Sequence, residues 1–358
     1  MRKPFLTRKL QTGRRGSGRR GSRSRQSGYV LVMTIAALAL LGLAGAYIGE
    51  RVSSALRLAA AEQEFAKQDK LLRDGMDNAV YLLATVKRSR FGLGGDTVAI
   101  RLDGRWYDNG KGMAISLQDA FGLLNIKTAP LGWKQQMLAG YGVPTERIGY
   151  LLDALDDYID TDSLRRLQGA EAADYQGKEL PPRNHLLLNT SELLRVYGWR
   201  TETKLWGDDP LLDHLVLAEG TGVNPATASW RVLAASLGLS ESAAKDFVVR
   251  RQDADLPTLT QLAAPFTTPS GGLDIFKLHT TSLFPSATTV ITVAPIGSRR
   301  ALRATLTITP DQQGSPWTLN DVHEISLAKP LPGKLPKLPD VSPYTVNIEQ
   351  EHIVELPF

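Results

Sequence analysis

The chain has 358 residues, no cysteine, 42% hydrophobic and 22% charged residues, and a formal net charge of +5. These are ordinary globular values, and they exclude disulfide stapling, thiolate metal ligation and thiol catalysis. The positive balance is local: residues 1–28 hold ten Lys or Arg and no acid, so residues 29–358 carry −5, which argues against a basic nucleic-acid surface on the folded part.

The basic leader ends in Arg25-Gln26-Ser27-Gly28, and Tyr29 to Gly49 follow as twenty-one uncharged, mostly apolar residues. At ~1.5 Å of rise per residue this run is ~30 Å long as a helix, about the hydrocarbon thickness of a bilayer. The positive-inside rule keeps the leader cytoplasmic and puts the body, C-terminal to the span, across the membrane. Ala44-Gly45-Ala46 has the small-residue form of a secretory cleavage site, but it falls late in an unusually long run. An uncleaved anchor with a basic flank is the plain alternative.

The helix is expected to continue beyond the membrane, because Ala55, Leu58, Glu62, Phe65, Leu72, Ala79 and Leu83 recur at three-or-four spacing and form a stripe that should be buried. Gly75 is expected to weaken or bend it, and the heptads are too irregular for a coiled coil. From Asp96 the pattern changes to alternating stretches at Thr97–Leu102 and Gly112–Leu117, with turn signals at Asp103-Gly104 and Asp108-Asn109-Gly110. A second pair, Thr288–Ala294 and Ala301–Thr309, is joined by Pro295-Ile296-Gly297-Ser298. The expected fold class is therefore α+β: a long N-terminal transmembrane helix packed on a small antiparallel sheet drawn from both ends of the chain. A large, mostly helical domain at 127–270 interrupts that sheet.

Within the insertion, Leu151, Leu155, Tyr158 and Ile159 share one helix face, with Asp157 and Asp160 placed as neighbours on the outer face. Carboxylates at a helix C-terminus oppose its dipole, yet the next residues supply more oxygen in Asp162, Glu171 and Asp174, with Gly169 permitting a tight turn. Hard oxygens gathered in a loop suit calcium, although the spacing is not that of an EF-hand. Arg165 and Arg166 could pair with the same acids, so a solvated acidic surface remains the competing reading.

The basic leader, Gly28 and a long apolar helix opening on an aromatic residue resemble a type IV prepilin or pseudopilin signal. That resemblance implies cleavage by a prepilin peptidase between Gly28 and Tyr29, with tyrosine standing for the family's usual phenylalanine. The fifth mature position is then Met33, where most members carry glutamate, and the absence of that glutamate resembles the K-type minor pseudopilins of the general secretion pathway. The K-type pattern continues in Gly122-Leu123-Leu124-Asn125, Asp157-Tyr158-Ile159-Asp160-Thr161-Asp162, Gly169-Ala170-Glu171 with Asp174-Tyr175, Pro181-Pro182-Arg183-Asn184 and Ser191-Glu192-Leu193. The family binds calcium in its inserted domain, which makes Asp157, Asp160, Asp162, Glu171 and Asp174 the ligand candidates by resemblance.

Residues 220–251 read as a helix-hairpin-helix-like pair whose hairpin, Gly238-Leu239-Ser240-Glu241, carries a carboxylate where a phosphate would lie. Five scattered histidines (His185, His214, His279, His323 and His352) and the lack of any hydrolase or nucleotide fingerprint point away from catalysis. Five prolines between Lys329 and Pro343 read as an extended tail.

The expected layout is a leader at 1–28, a membrane span at 29–49, a pseudopilin helix and first strands at 50–126, the insertion at 127–270, closing strands at 271–328 and a tail at 329–358. The resemblance implies a single-pass inner-membrane protein with a periplasmic body and no enzymatic activity. It would cap the tip of a type II secretion pseudopilus and assist export of folded proteins. Implied partners are the I- and J-type minor pseudopilins, the major pseudopilin, the prepilin peptidase and the membrane, with no nucleic acid. The rival is a periplasmic binding or DNA-uptake module on an uncleaved anchor.

Overall fold

The computed structural model describes residues 27–90, 92–95, 99–175, 177, 180–253, 280–310 and 313–341. The leader up to Gln26, Thr97-Val98, His279 and the end of the tail from Ser342, including His352, lie outside the described residues.

Helix α1 runs unbroken from Ser27 to Thr85, 59 residues. Its N-terminal part is the one described helix long and apolar enough to cross a membrane. The chain divides after Phe65 into two units. In the first, residues 29–65 of α1 are exposed throughout, including Tyr29, Met33, Leu58 and Phe65. The expected burial of Ala55, Leu58, Glu62 and Phe65 is therefore corrected: in the second unit the apolar face is sealed only from Leu72 to Val86, where the sheet supplies partners.

The second unit continues with β1 (Arg88–Ser89), β2 (Gly92–Gly94) and β3 (Ala99–Ile100), a small antiparallel sheet. Next come β4 (Asp103–Asp108) and β5 (Met113–Asp119), joined at Asp108-Asn109-Gly110. There, Asp108 Oδ1 and Asn109 Oδ1 accept the amides of Gly110 and Lys111 at 2.8 and 2.9 Å, locking the turn. Asp103-Gly104 does not form a turn as expected but opens β4, where the pairing with β5 shifts between Asp103 and Trp106. The Arg105 side chain folds back on the Asp103 carboxylate at 2.6 Å, which stabilises the irregularity.

From β5 the chain leaves the sheet through β6 (Leu124–Asn125), α2 (Leu131–Gly140), α3 (Thr145–Ile159), short 3-10 turns, β7 (Leu215–Val216), α4 (Trp230–Leu237) and α5 (Glu241–Asp253). Strands β8 (Thr288–Pro295), β9 (Arg300–Ile308) and β10 (Trp317–Ser326) close the five-stranded antiparallel sheet in the order β10-β9-β8-β5-β4. Strand β5 pairs directly with β8, from Met113 opposite Pro295 to Asp119 opposite Thr289. The sheet is thus assembled from both ends of the chain, with the described elements from β6 to α5 falling in sequence between two neighbouring strands.

One face of the sheet packs on α1, with Leu72, Met76, Ala79 and Leu83 against Met113, Ile115, Leu117, Ile291, Val293 and Leu306. Gly75 sits at this seam: a β-carbon there would lie 3.1 Å from Met113 Cε and 3.5 Å from Val293 Cβ. It does not interrupt the helix, so its role is close approach of helix and sheet. Leu331 and partly buried Leu327 and Leu335 cover Ala114, Ala294 and Ala301 in a separate cluster. The described part of the proline-rich segment therefore docks on the sheet. Asp108 N donates to Pro336 O and Leu338 N to Asp108 O, both at 2.8 Å, capping the edge strand β4.

The insertion has its own core, in which Leu151, Leu155, Tyr158, Leu193, Trp199, Val232, Leu233 and Phe247 are buried together. A fully buried Asp119 joins it to the sheet. One Asp119 oxygen accepts Phe121 N at 3.1 Å and Ser286 N at 2.8 Å; the other accepts Asn224 Nδ2 at 3.0 Å and Thr227 Oγ1 at 2.9 Å. Four donors satisfy a charge that would otherwise be expensive to bury.

Candidate metal centre

Helix α3 follows Pro144, which is extended at the N-cap, and buries Ile148, Leu151, Leu152, Leu155 and Tyr158 along one face. Its C-terminal turn delivers Asp157 and the capping residue Asp160 to the loop that follows. The two do not share an outer face as the spacing predicts: Asp157 is completely buried. Both Asp157 oxygens accept Arg166 N at 3.2 Å, and the Arg166 guanidinium stands 3.5 Å away. A β-carbon on Gly169 would meet Asp157 Oδ2 at 1.9 Å, so glycine at 169 is a steric requirement for folding the loop over this carboxylate.

Asp174 is also used by the loop itself. Its Oδ2 accepts Glu171 N at 3.0 Å, and its Oδ1 lies 3.4 Å from Arg165 Nη1. The pairing of Arg165 and Arg166 with acids is therefore real, and it consumes Asp174, Asp157 and, at 3.6 Å, Asp156.

What remains is Asp160, Asp162 and Glu171, whose carboxylate oxygens come within 4.8 Å of one another. Glu171 is only 8% exposed. Both of its oxygens and Asp160 Oδ1 are buried without a hydrogen-bond partner. Burial first, then repulsion from Asp157 and Asp160, pushes the Glu171 carboxyl up; burial, then Asp162 and Asp157, does the same to Asp160. One Asp162 oxygen accepts Leu164 N at 2.8 Å.

The sequence reading missed a further oxygen. Asn184 holds a left-handed backbone (φ 50°) and donates from Nδ2 to Asp162 O at 2.7 Å, while its Oδ1 is buried without a partner. The available signal was the residue type: Asn tolerates positive φ and offers a hard carbonyl oxygen. Orphaned, mutually repelling carboxylates beside a spare amide oxygen fit the donor set of a divalent cation.

Two other features are structural. Ser191-Glu192-Leu193 lies in a 3-10 turn, Thr190–Arg195, capped by Asn189, and buried Glu192 accepts Arg183 Nη1 at 2.9 Å. His214, by contrast, sits between Asp209 (Nε2 to Oδ1, 2.7 Å) and Ser229 (Nδ1 to Oγ, 2.9 Å). Ser229 Oγ also caps α4 by accepting Val232 N, and Arg231 holds the second Asp209 oxygen at 2.6 Å. This chain of contacts fastens the start of α4 to residues 209–214.

The helical pair α4–α5 turns on Gly238 in the left-handed conformation. Glu241 opens α5 and is paired with Lys245, so an anion-binding helix start already carries a carboxylate. Gly28 and Tyr29 lie in the first turn of α1.

Residues 115–205 match the family model described as type II secretion system (T2SS), protein K. A comparison with curated proteins returns no match. In fold, the chain is similar to a chain of the crystal structure of the GspK-GspI-GspJ complex from the enterotoxigenic Escherichia coli type 2 secretion system. The TM-score is 0.51 at 14% identity, over 75% of this chain and 99% of that one.

Proposed function

From the match of residues 115–205 to the type II secretion system protein K model, we propose that this chain is a minor pseudopilin of that kind, capping the tip of the secretion pseudopilus. The observation carrying this reading is the helical unit that leaves the sheet between adjacent strands β5 and β8. Its bulk disfavours stacking of another subunit above it, and Met33 in place of a carboxylate leaves no partner for the amine of a subunit above. In this role the Tyr29 helix is held in the inner membrane, with the body in the periplasm, until it joins I- and J-type partners and then the major pseudopilin. The protein acts mechanically, without a catalytic step, in export of folded proteins.

Maturation requires cleavage between Gly28 and Tyr29. Mass measurement of the full chain extracted from cells that have a prepilin peptidase tests this, with a species beginning at Tyr29 expected. An intact leader overturns it in favour of an uncleaved anchored periplasmic module.

Asp160, Asp162 and Glu171 would hold calcium, with Asn184 Oδ1 as a further oxygen, while Asp157 and Asp174 shape the loop. The support is the set of buried oxygens without partners. Bound calcium supplies positive charge that cancels their repulsion. The chain's own residues set the loop: Asp157 and Gly169 fold it, and Asp162 fixes its turn through Leu164 N.

A further inference from the structure

The loop between Asp160 and Gly169 presents Leu164-Arg165-Arg166-Leu167 at its tip. Leu164 is 78% and Leu167 93% exposed. Both side chains leave apolar surface in water on a loop whose backbone is held in place. Asp162 Oδ1 takes Leu164 N at 2.8 Å, Asp157 takes Arg166 N at 3.2 Å, and Asn184 grips Asp162 O at 2.7 Å. Both arginines are half-exposed, with Arg165 3.4 Å from Asp174 and Arg166 3.5 Å from Asp157 and 3.6 Å from Asp156, so each keeps part of its guanidinium open to solvent.

We propose that, once calcium is bound, this loop docks reversibly on an anionic phospholipid surface. Leu164 and Leu167 enter the interfacial layer, and Arg165 and Arg166 meet headgroup phosphates. The inference rests on the calcium reading above. Without the cation, Asp160, Asp162 and Glu171 place three uncompensated carboxylates behind the arginines and repel an anionic surface; one divalent cation leaves a single negative charge. The two leucines fit shallow insertion into lipid and are far too small a patch for a stable protein interface, which takes about 800 Å² from each partner. The apolar-basic-basic-apolar order matches a headgroup layer overlying acyl chains.

The test uses the full chain in zwitterionic nanodiscs, mixed with phosphatidylglycerol vesicles and floated with calcium or with a chelator. Co-flotation only with calcium is expected, with the bound fraction reduced about tenfold or more in the Leu164→Ser, Leu167→Ser double variant. That variant should keep the wild-type rise in melting temperature with calcium. If wild type shows the rise yet does not float, floats equally with neutral vesicles, or floats as well with the double substitution, lipid docking is overturned and the calcium site stands. Calcium-dependent association without vesicles through the same leucines also overturns it, in favour of a protein partner. If calcium changes no melting temperature, both readings fall.

Discussion

Replacing Glu171 by glutamine should have opposite effects with and without calcium. The side chain is 8% exposed, its oxygens have no partner, and Asp157 and Asp160 repel it. In chelator the neutral amide relieves that repulsion, so the variant should melt at or above the wild-type temperature. With calcium at about a hundred times the dissociation constant, linkage adds ~2.7 kcal/mol to a chain that binds it. For the second unit, residues 66–358, ~1 kcal/mol moves the midpoint by about 2–4 °C, so wild type should rise by roughly 5–10 °C. The variant, short of one of three carboxylates, should rise by less than half as much. Differential scanning fluorimetry of the full chain in neutral detergent, with and without calcium, reads all four states. An equal calcium rise in both proteins, or a variant several degrees below wild type in chelator, would refute the reasoning.

Asp119→Ala removes the acceptor of four buried donors and should cost about 3–5 kcal/mol, read as a large fall in urea midpoint; a loss under ~1 kcal/mol would show that the junction is held by apolar packing alone. In chelator, Asp160 and Glu171 hold folded-state pKa values above their unfolded ones, so the folded chain binds more protons between the ordinary carboxylate range and the raised values. Their contribution therefore falls as pH rises through that window. Calcium should offset the fall and Glu171→Gln should flatten it, as melting curves at stepped pH will show; an identical profile in the variant contradicts the assignment. Gly169→Ala must displace the Asp157 carboxylate, so it should weaken calcium binding and lower stability together, and isothermal titration with a melting curve checks both.

The long helix, the hairpin at Asp108-Asn109-Gly110 and the two-ended sheet were legible because each rests on local periodicity or turn chemistry. The extent of burial along α1 was not: Leu58 and Leu72 carry the same amphipathic spacing, but only Leu72 meets the sheet. Gly75 read as a weak point because its neighbours across the seam, Met113 and Val293, are remote in sequence. At the candidate metal centre the composition of the loop was visible, whereas the contacts of each acid were not. Asp157 and Asp174 look like Asp160 and Asp162 in sequence, and only the folded loop shows that the first two meet both a backbone amide and an arginine, from Arg166 and from Glu171 and Arg165 respectively. Asp119 and Asn184 were missed because their partners lie up to 167 residues away.

A tip cap must sit at one end of the fibre. Gold labelling of an epitope on the body, applied to purified pseudopili and viewed by electron microscopy, should place this chain at one end of each fibre. Label distributed along the shaft would mean that further subunits stack above the insertion, and the capping account would be wrong.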